Sequence, residues 1–271
     1  MRHFERYVAV GDSSTEGLDD PDGAGGYRGW ANRLAERIVK AQGSLLYANL
    51  GVRGRSTREI RDEQLEAAAA MRPDLSTLFA GTNDVVGRRF DPNAVARDVA
   101  EIQDTLIAGG ATVLTFTLPD LTPVMPLARL VAPRVHALNA ALRSASARTG
   151  AILVDIALHP VASDPRLWSE DRLHANAAGH ARIAAALAHA LGLPDADDSW
   201  TSPLPAVRAP TPLERLAAEF SWGRRYLVPW VWRSLQGRSS GDGHRPKRPV
   251  LEPVEAIGGP AAARLAEQGG S

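Results

Sequence analysis

The chain has 271 residues with 31 basic and 31 acidic side chains, no cysteine, and 44% hydrophobic against 23% charged residues. That length suits one sizeable α/β domain with an appendage and leaves a second full domain cramped. Balanced charge argues against a global polyanion partner, and the lack of cysteine excludes disulfides, thiolate nucleophiles and cysteine-ligated metals.

Met1 to Arg6 runs straight into the apolar Tyr7 to Val10, leaving no room for a charged segment, an apolar segment and a cleavage site, so a cytoplasmic location is expected. No run approaches the roughly 18 apolar residues of a membrane span. Only Lys40 and Lys247 are lysines and alanine is plentiful, a composition that points to a high-GC bacterial genome.

Tyr7 to Val10 reads as a strand ending at Gly11-Asp12-Ser13, and Trp30, Leu34 and Ile38 stand at helical spacing. Leu45 to Leu50 predicts a second strand, Ser56 to Met71 a helix capped by Ser56 or Thr57, and Leu75 to Ala80 a third strand. Asp91-Pro92 opens a helix that closes at Gly109-Gly110 before a strand over Thr112 to Leu118. A Pro-rich loop, a helix near Leu130 to Ala147, a strand over Ala151 to Ile156 and a helix over Ala177 to Leu191 complete the pattern. Five short apolar strands alternating with helices predict a three-layer α/β/α sandwich on a parallel sheet, with ligands beyond the carboxyl ends of the strands.

The texture changes near Pro194. Residues 1–193 read as a catalytic domain, 194–238 as a Trp- and Arg-containing, partly helical extension with a helix over Pro212 to Phe220, and 239–271 as a flexible tail. Ser239 to Pro249 holds Gly, Ser, Pro and basic residues that bury too little apolar surface to offset ordering entropy, so disorder is expected there.

Four short motifs carry the chemistry. Gly11-Asp12-Ser13 follows the first strand, where the Ser13 hydroxyl can project from the sheet edge as a nucleophile; alone, the same residues make an ordinary turn or cap. Asn49-Leu50-Gly51-Val52-Arg53-Gly54 ends the second strand, and Gly54 can offer its N–H to an anion; a plain turn is the alternative. In Gly81-Thr82-Asn83-Asp84, after the third strand, the Asn83 amide can donate to a developing oxyanion, or form an Asx turn. In Asp171-Arg172-Leu173-His174 the spacing of three lets the carboxylate accept the Nδ1 proton and leaves Nε2 to take the proton of Ser13; a surface pair is the alternative.

The four occur in one order, the first three at the ends of successive strands. On these residues the sequence resembles the SGNH (GDSL-like) hydrolase family over roughly residues 6 to 193, with Ser13, Gly54, Asn83 and His174 at its four block positions. Trp168 to His174, with Asn176 and Gly179, is similar to its last block. The resemblance implies a flavodoxin-like, five-stranded parallel sheet of order 2-1-3-4-5 and no metal or organic cofactor. It also implies a carboxylic ester hydrolase, lipase or esterase, for short or medium acyl or acetyl esters, working through a Ser13 acyl-enzyme with Asp171 and His174 and an oxyanion hole of Ser13, Gly54 and Asn83. Asp12 then reads as a scaffold residue holding loop amides. The alternatives are an acyltransferase using the same acyl-enzyme, or a non-catalytic membrane- or partner-binding module.

His3, His136, His159, His180, His189 and His244 are scattered without metal-ligand spacing, and Gly23 to Gly26 lacks a phosphate-binding pattern. In the loop Pro119 to Leu130, Leu121, Val124 and Met125 are expected to line an acyl pocket, or else to pack on the core. Residues 221–250 carry seven bases against one acid, with Trp222, Trp230 and Trp232 interleaved with Arg224, Arg225 and Arg233. Peripheral membrane contact and packing on the domain are the two readings, and nucleic acid is not expected as a partner.

Overall fold

The computed structural model describes residues 2–208, 211–229 and 241–254. Its sheet contains β1 (Arg6–Gly11), β2 (Leu46–Asn49), β3 (Leu75–Phe79), β4 (Thr112–Phe116), β5 (Ile152–Val154) and β6 (Arg248–Pro253). The first five are parallel in the order 2-1-3-4-5, and β6 adds an antiparallel edge beside β2. Every residue of β3, and all of β1 after Arg6, is buried, which is why these strands read as apolar runs without polar alternation.

Helix α1 (Ser13–Glu16) follows β1 directly. On one face α2 (Gly29–Gln42) packs on α7 (Ala177–Ala190); on the other α3 (Thr57–Ala70), α5 (Pro92–Ala108) and α6 (Ala132–Thr149) pack in series. Helix α4 (Thr82–Val86) is one short turn after β3. The termini follow the sequence signals. Ser56 and Glu59 form a capping box on α3, Asp91 caps α5 with Pro92 at its first position, and Asn176 caps α7 by accepting from the amides of Ala178 and Gly179.

The chain beyond Leu193 joins this body. Arg182 holds the carbonyls of Trp200 and Ser202 at 2.6 and 2.8 Å, and Arg166 holds that of Pro205 at 2.5 Å. Helix α8 (Pro212–Trp222) continues into a π-helical turn over Gly223–Leu227.

The flexible tail expected over 239–271 needs correction at Arg248–Pro253, which form β6. Its register sets Leu46 opposite Pro253 and Asn49 opposite Arg248, with a bulge between. An edge strand tolerates Pro249 and Pro253 because one side of its ladder is unused. Before it, Lys247 Nζ donates to the carbonyls of Tyr27 and Arg28 at 2.7 and 3.0 Å, and burial lowers its pKa to about 8. Residues 230–240 and 255–271 lie outside the described residues. Among the described residues no helix is long and apolar enough to cross a membrane.

Candidate active site

The end of β1 turns sharply into α1. Gly11 has φ +155°, and a Cβ there would sit 2.2 Å from Thr15 Oγ1 and 2.4 Å from the Phe79 carbonyl, so only glycine lets the strand end this close to the helix. Past the last β1–β2 register pair, the Gly11 backbone is gripped by Gln64 of α3, whose Oε1 accepts from the Gly11 N–H and whose Nε2 donates to its carbonyl, both at 2.9 Å. Asp12 caps α1 by accepting from the Ser14 amide at 3.0 Å. Ser13 is thereby fixed at the first position of α1, 8% exposed, at the carboxyl end of the sheet.

Three strand ends are laced together around it. Asn83 Nδ2 donates to the Arg55 carbonyl at 3.0 Å and to Asp12 Oδ2 at 3.3 Å, joining the β2 loop to the β1 turn. Glu16 of α1 accepts from the Arg53 N–H at 2.9 Å and pairs with the Arg53 guanidinium, so the loop bearing Gly54, at φ +75°, is anchored to the helix bearing Ser13. Asn49 adds a bond to the Thr15 carbonyl at 2.8 Å and accepts from the Gly51 amide. Burial pushes the Asp12 carboxyl up to about 7, against the Ser14 hydrogen bond and the His174 charge that favour its ionised form.

From the other side of the cleft comes the segment between β5 and α7. Ser169 N donates to the His174 carbonyl at 2.8 Å, closing a tight loop with Trp168 bridged to Ala175. Asp171 Oδ1 accepts from Ser169 Oγ at 2.6 Å and from the amides of Leu173 and His174 at 2.9 and 3.0 Å, while Oδ2 takes the His174 Nδ1 at 2.6 Å. His174 Nε2 stands 2.9 Å from Ser13 Oγ. Burial disfavours the Asp171 carboxylate, yet the hydrogen bond and charge of His174 outweigh it and hold Asp171 below the usual carboxylate range. Burial likewise disfavours charge on His174, but the bond and charge of Asp171, with Asp19 and Asp12, raise its pKa above the ordinary histidine value. The structure thus brings Ser13, His174 and Asp171 into one hydrogen-bonded relay.

His180 ties the two sides together: its Nδ1 accepts from the Trp30 amide at 3.1 Å, and its Nε2 donates to the Leu18 carbonyl at 2.9 Å. Burial lowers its pKa to about 4. Asp19, Asp171 and His174 place ligand atoms within 4.8 Å of one another. Both nitrogens of His174 are engaged by Asp171 and Ser13, so a cation held there would have to break the relay.

A cavity opens beside Ser13 and His174, lined largely by apolar side chains including Phe79, Phe116, Leu118, Ile156, Leu167 and Trp168. Phe79 stacks on Phe116 with centroids 4.3 Å apart, and Trp30 meets Phe116 edge-on, giving a rigid floor. Thr82 also lines it, with its Oγ1 buried and without a partner among the described residues.

Leu121, Val124 and Met125 do not line this cavity, contrary to the expectation for the 119–130 loop. The loop turns on itself through Leu121 carbonyl bonds to the amides of Val124 and Met125, and these side chains form a separate cluster with Ala128 and Trp168. Val124 instead borders a groove against α8. The expectation of membrane contact also changes at Trp222, which is buried against the Asp171 loop, and Arg225 pairs with Glu170 at 3.1 Å. Arg224 is exposed, and Trp230, Trp232 and Arg233 lie outside the described residues.

The sequence reading missed Gln64, Glu16, Asn49 and His180 as supports of the site. Gln64 left a signal: with Thr57, Ile60 and Ala68 it forms the buried face of α3, and a polar residue on such a stripe needs a partner.

A family model described as the GDSL-like Lipase/Acylhydrolase family matches residues 9–182. The chain is 27% identical over 184 residues, 65% of its own length and 77% of the other's, to GDSL lipase Rv0518 of Mycobacterium tuberculosis. Among solved structures it is similar to LAE5, an α/β hydrolase enzyme from the metagenome of Lake Arreo, Spain, with TM-score 0.59, 22% identity and coverage of 69% of this chain and 95% of that one. The acetyl xylan esterase AlAXEase gives TM-score 0.56 at 18% identity, covering 69% and 99%. At these identities the structural likenesses speak for the fold.

Proposed function

The chain belongs to the GDSL-like lipase/acylhydrolase family, and from that premise and the geometry above we propose that it hydrolyses carboxylic esters through an acyl-enzyme on Ser13. The observation that carries the proposal is the unbroken relay from Asp171 Oδ2 through His174 to Ser13 Oγ, with bonds of 2.6 and 2.9 Å.

In this reading Ser13 Oγ attacks the ester carbonyl as its proton passes to His174 Nε2, and Asp171 holds the ring by its Nδ1–H and stabilises the imidazolium. The tetrahedral oxyanion is received by the N–H groups of Ser13 and Gly54 and by the Asn83 amide, which gives up its longer bond to Asp12 Oδ2 at 3.3 Å to donate while keeping the Arg55 carbonyl, and Glu16 ties the Gly54 loop to the Ser13 helix. His174 returns the proton to the departing alcohol oxygen, the C–O bond breaks, and the acyl group stays on Ser13. Water, deprotonated by His174, then attacks the acyl-enzyme and releases the acid and free Ser13.

The apolar lining of the cavity supports a short or medium acyl group as the bound half of the substrate. The test is a panel of p-nitrophenyl esters of graded acyl length, run beside acetylated sugars and with added alcohols as acyl acceptors, on wild type and Ser13→Ala. Turnover of the shorter esters by wild type and its loss by three or more orders of magnitude, roughly, in Ser13→Ala are expected. Wild-type turnover in Ser13→Ala would refute the proposal, and ester yield with added alcohol would redirect it to acyl transfer.

A further inference from the structure

Helix α8 lies beyond residue 182, where the family match ends, yet it reaches the back of the loop that carries Asp171 and His174. Three consecutive loop residues each have a partner on it or on the turn that follows. Glu170 accepts from Tyr226 Oη at 2.9 Å and pairs with Arg225 at 3.1 Å. The backbone carbonyl of Asp171 accepts from Trp222 Nε1 at 3.0 Å. Arg172 donates to Glu219 Oε1 at 2.6 Å and lays its guanidinium over the Trp222 ring, 5.1 Å from the centroid.

Arg172 has φ +62°, a left-handed conformation unusual for a residue with a long side chain, and it stands between the acid and the base. Such a conformation persists where its surroundings over-determine it. Relaxing it means rotating the Asp171–Arg172 peptide, which would withdraw the carbonyl from Trp222 and carry the Leu173 and His174 amides away from Asp171 Oδ1. The indole N–H and the Arg172 clamp hold that rotation fixed.

We propose that Trp222 is a positioning residue: by fixing the Asp171 carbonyl and the Arg172 side chain it keeps the Asp171 carboxylate aligned on His174, so turnover depends on the docking of α8. The inference rests on the proposed roles of Ser13, His174 and Asp171. It concerns a residue that touches no substrate and acts only through the loop.

His174 is faced by Asp171 on its own loop, by Asp12 and Asp19 from the β1 side, with Asp19 Oδ2 3.9 Å from Nδ1, and by His180 from α7. Arg172, Glu219, Glu170 and Arg225 surround the outer side of the loop. Of the described groups that face His174, Asp171 is the one bonded to the Trp222 N–H, so a change in His174 titration upon removing that N–H reports the Asp171 contact.

The experiment uses the full chain carrying Trp222→Phe, which keeps an aromatic ring under Arg172 and removes the N–H. Steady-state hydrolysis of p-nitrophenyl acetate is followed across the acid limb, and the His174 imidazole is titrated by NMR. Loss of one well-placed hydrogen bond predicts a kcat about five- to tenfold lower with KM within about twofold. The acid limb and the His174 titration both move to lower pH, and Glu219→Gln moves them the same way by less.

A Trp222→Phe protein whose kcat, acid limb and His174 titration match wild type overturns the inference, even if it melts at a lower temperature, because that leaves Trp222 a purely structural role. If circular dichroism shows that Trp222→Phe does not fold, Glu219→Gln decides: a downward shift of the acid limb supports the inference and an unmoved limb refutes it. A wild type without esterase activity, or a Ser13→Ala variant that keeps it, would sink the proposed function instead; the His174 titration still reads the Trp222 bond in either case.

Discussion

Replacing Gln64 with leucine tests how Ser13, the proposed nucleophile, is held. Leucine fills a similar volume on the buried face of α3 but removes both bonds to Gly11. The Gly11 carbonyl keeps the Val52 amide at 3.2 Å, whereas the Gly11 N–H, past the β2 ladder, loses the acceptor that Gln64 supplies. The lost bond to the Gly11 carbonyl costs about 1 kcal/mol, and the Gly11 N–H left buried and unsatisfied costs about 1 to 3 kcal/mol. The apolar side chain recovers about 1 kcal/mol of burial. The net expectation is a loss of about 2 kcal/mol, or a fall in Tm of roughly 4 to 8 °C for a chain of this size. Urea unfolding followed by circular dichroism measures it, and esterase kcat should fall as well, because Asp12 and Ser13 follow Gly11 directly. A stability loss under about 1 kcal/mol with unchanged kcat would show that the Gln64 grip does not set the turn.

Asn83→Ala is expected to lower kcat on the order of a hundredfold while the protein stays folded, since the proposed oxyanion hole loses one donor; a kcat within about threefold of wild type would remove Asn83 from that role. In the proposed mechanism His174 must be neutral to act as base, and its pKa is raised, so kcat/KM should fall with acid through a midpoint above the ordinary histidine value. Asp171→Asn should move that midpoint down while reducing kcat by about three to four orders of magnitude; an unmoved midpoint would mean that Asp171 is not what raises it. His180 is buried and neutral with its folded pKa lowered to about 4, so its contribution to stability is complete above about 6.5 and is lost as pH falls toward 4. That loss amounts to about 3 kcal/mol, measurable as a pH-dependent urea midpoint, and an NMR titration of His180 near its ordinary value would contradict it.

Elements with strong local signals were legible. The Ser56–Glu59 box, the Asp91-Pro92 start and the apolar runs of β1 and β3 depend on neighbours a few residues away, and the sequence reading placed them. Strand β6 was not legible, because Arg248–Pro253 owes its conformation to the open edge of β2 about 200 residues earlier, and its prolines and charges read locally as tail. The 119–130 loop failed for a related reason: composition shows that Leu121, Val124 and Met125 want cover, but not that Trp168 supplies it. At the candidate site the spacing of Asp171 and His174 exposed the pair. The left-handed Arg172 and the indole behind it were hidden, since nothing in four residues records which helix will lie against them.

The antiparallel edge formed by β6 bears on how the chain reaches its final state. The ribosome delivers β2 about 200 residues before the strand that covers it, so the β2 edge spends much of synthesis with an unpaired row of amides and carbonyls. The sheet is completed by one of the most non-local pairings in the molecule, whose loop-closure entropy is met late. The proteins it resembles in fold are covered almost end to end while leaving about a third of this chain unmatched. In this chain, then, the same late-made segment that brings α8 to the Asp171 loop also seals the sheet, and a nascent chain lacking it carries an open edge and an unclamped loop together.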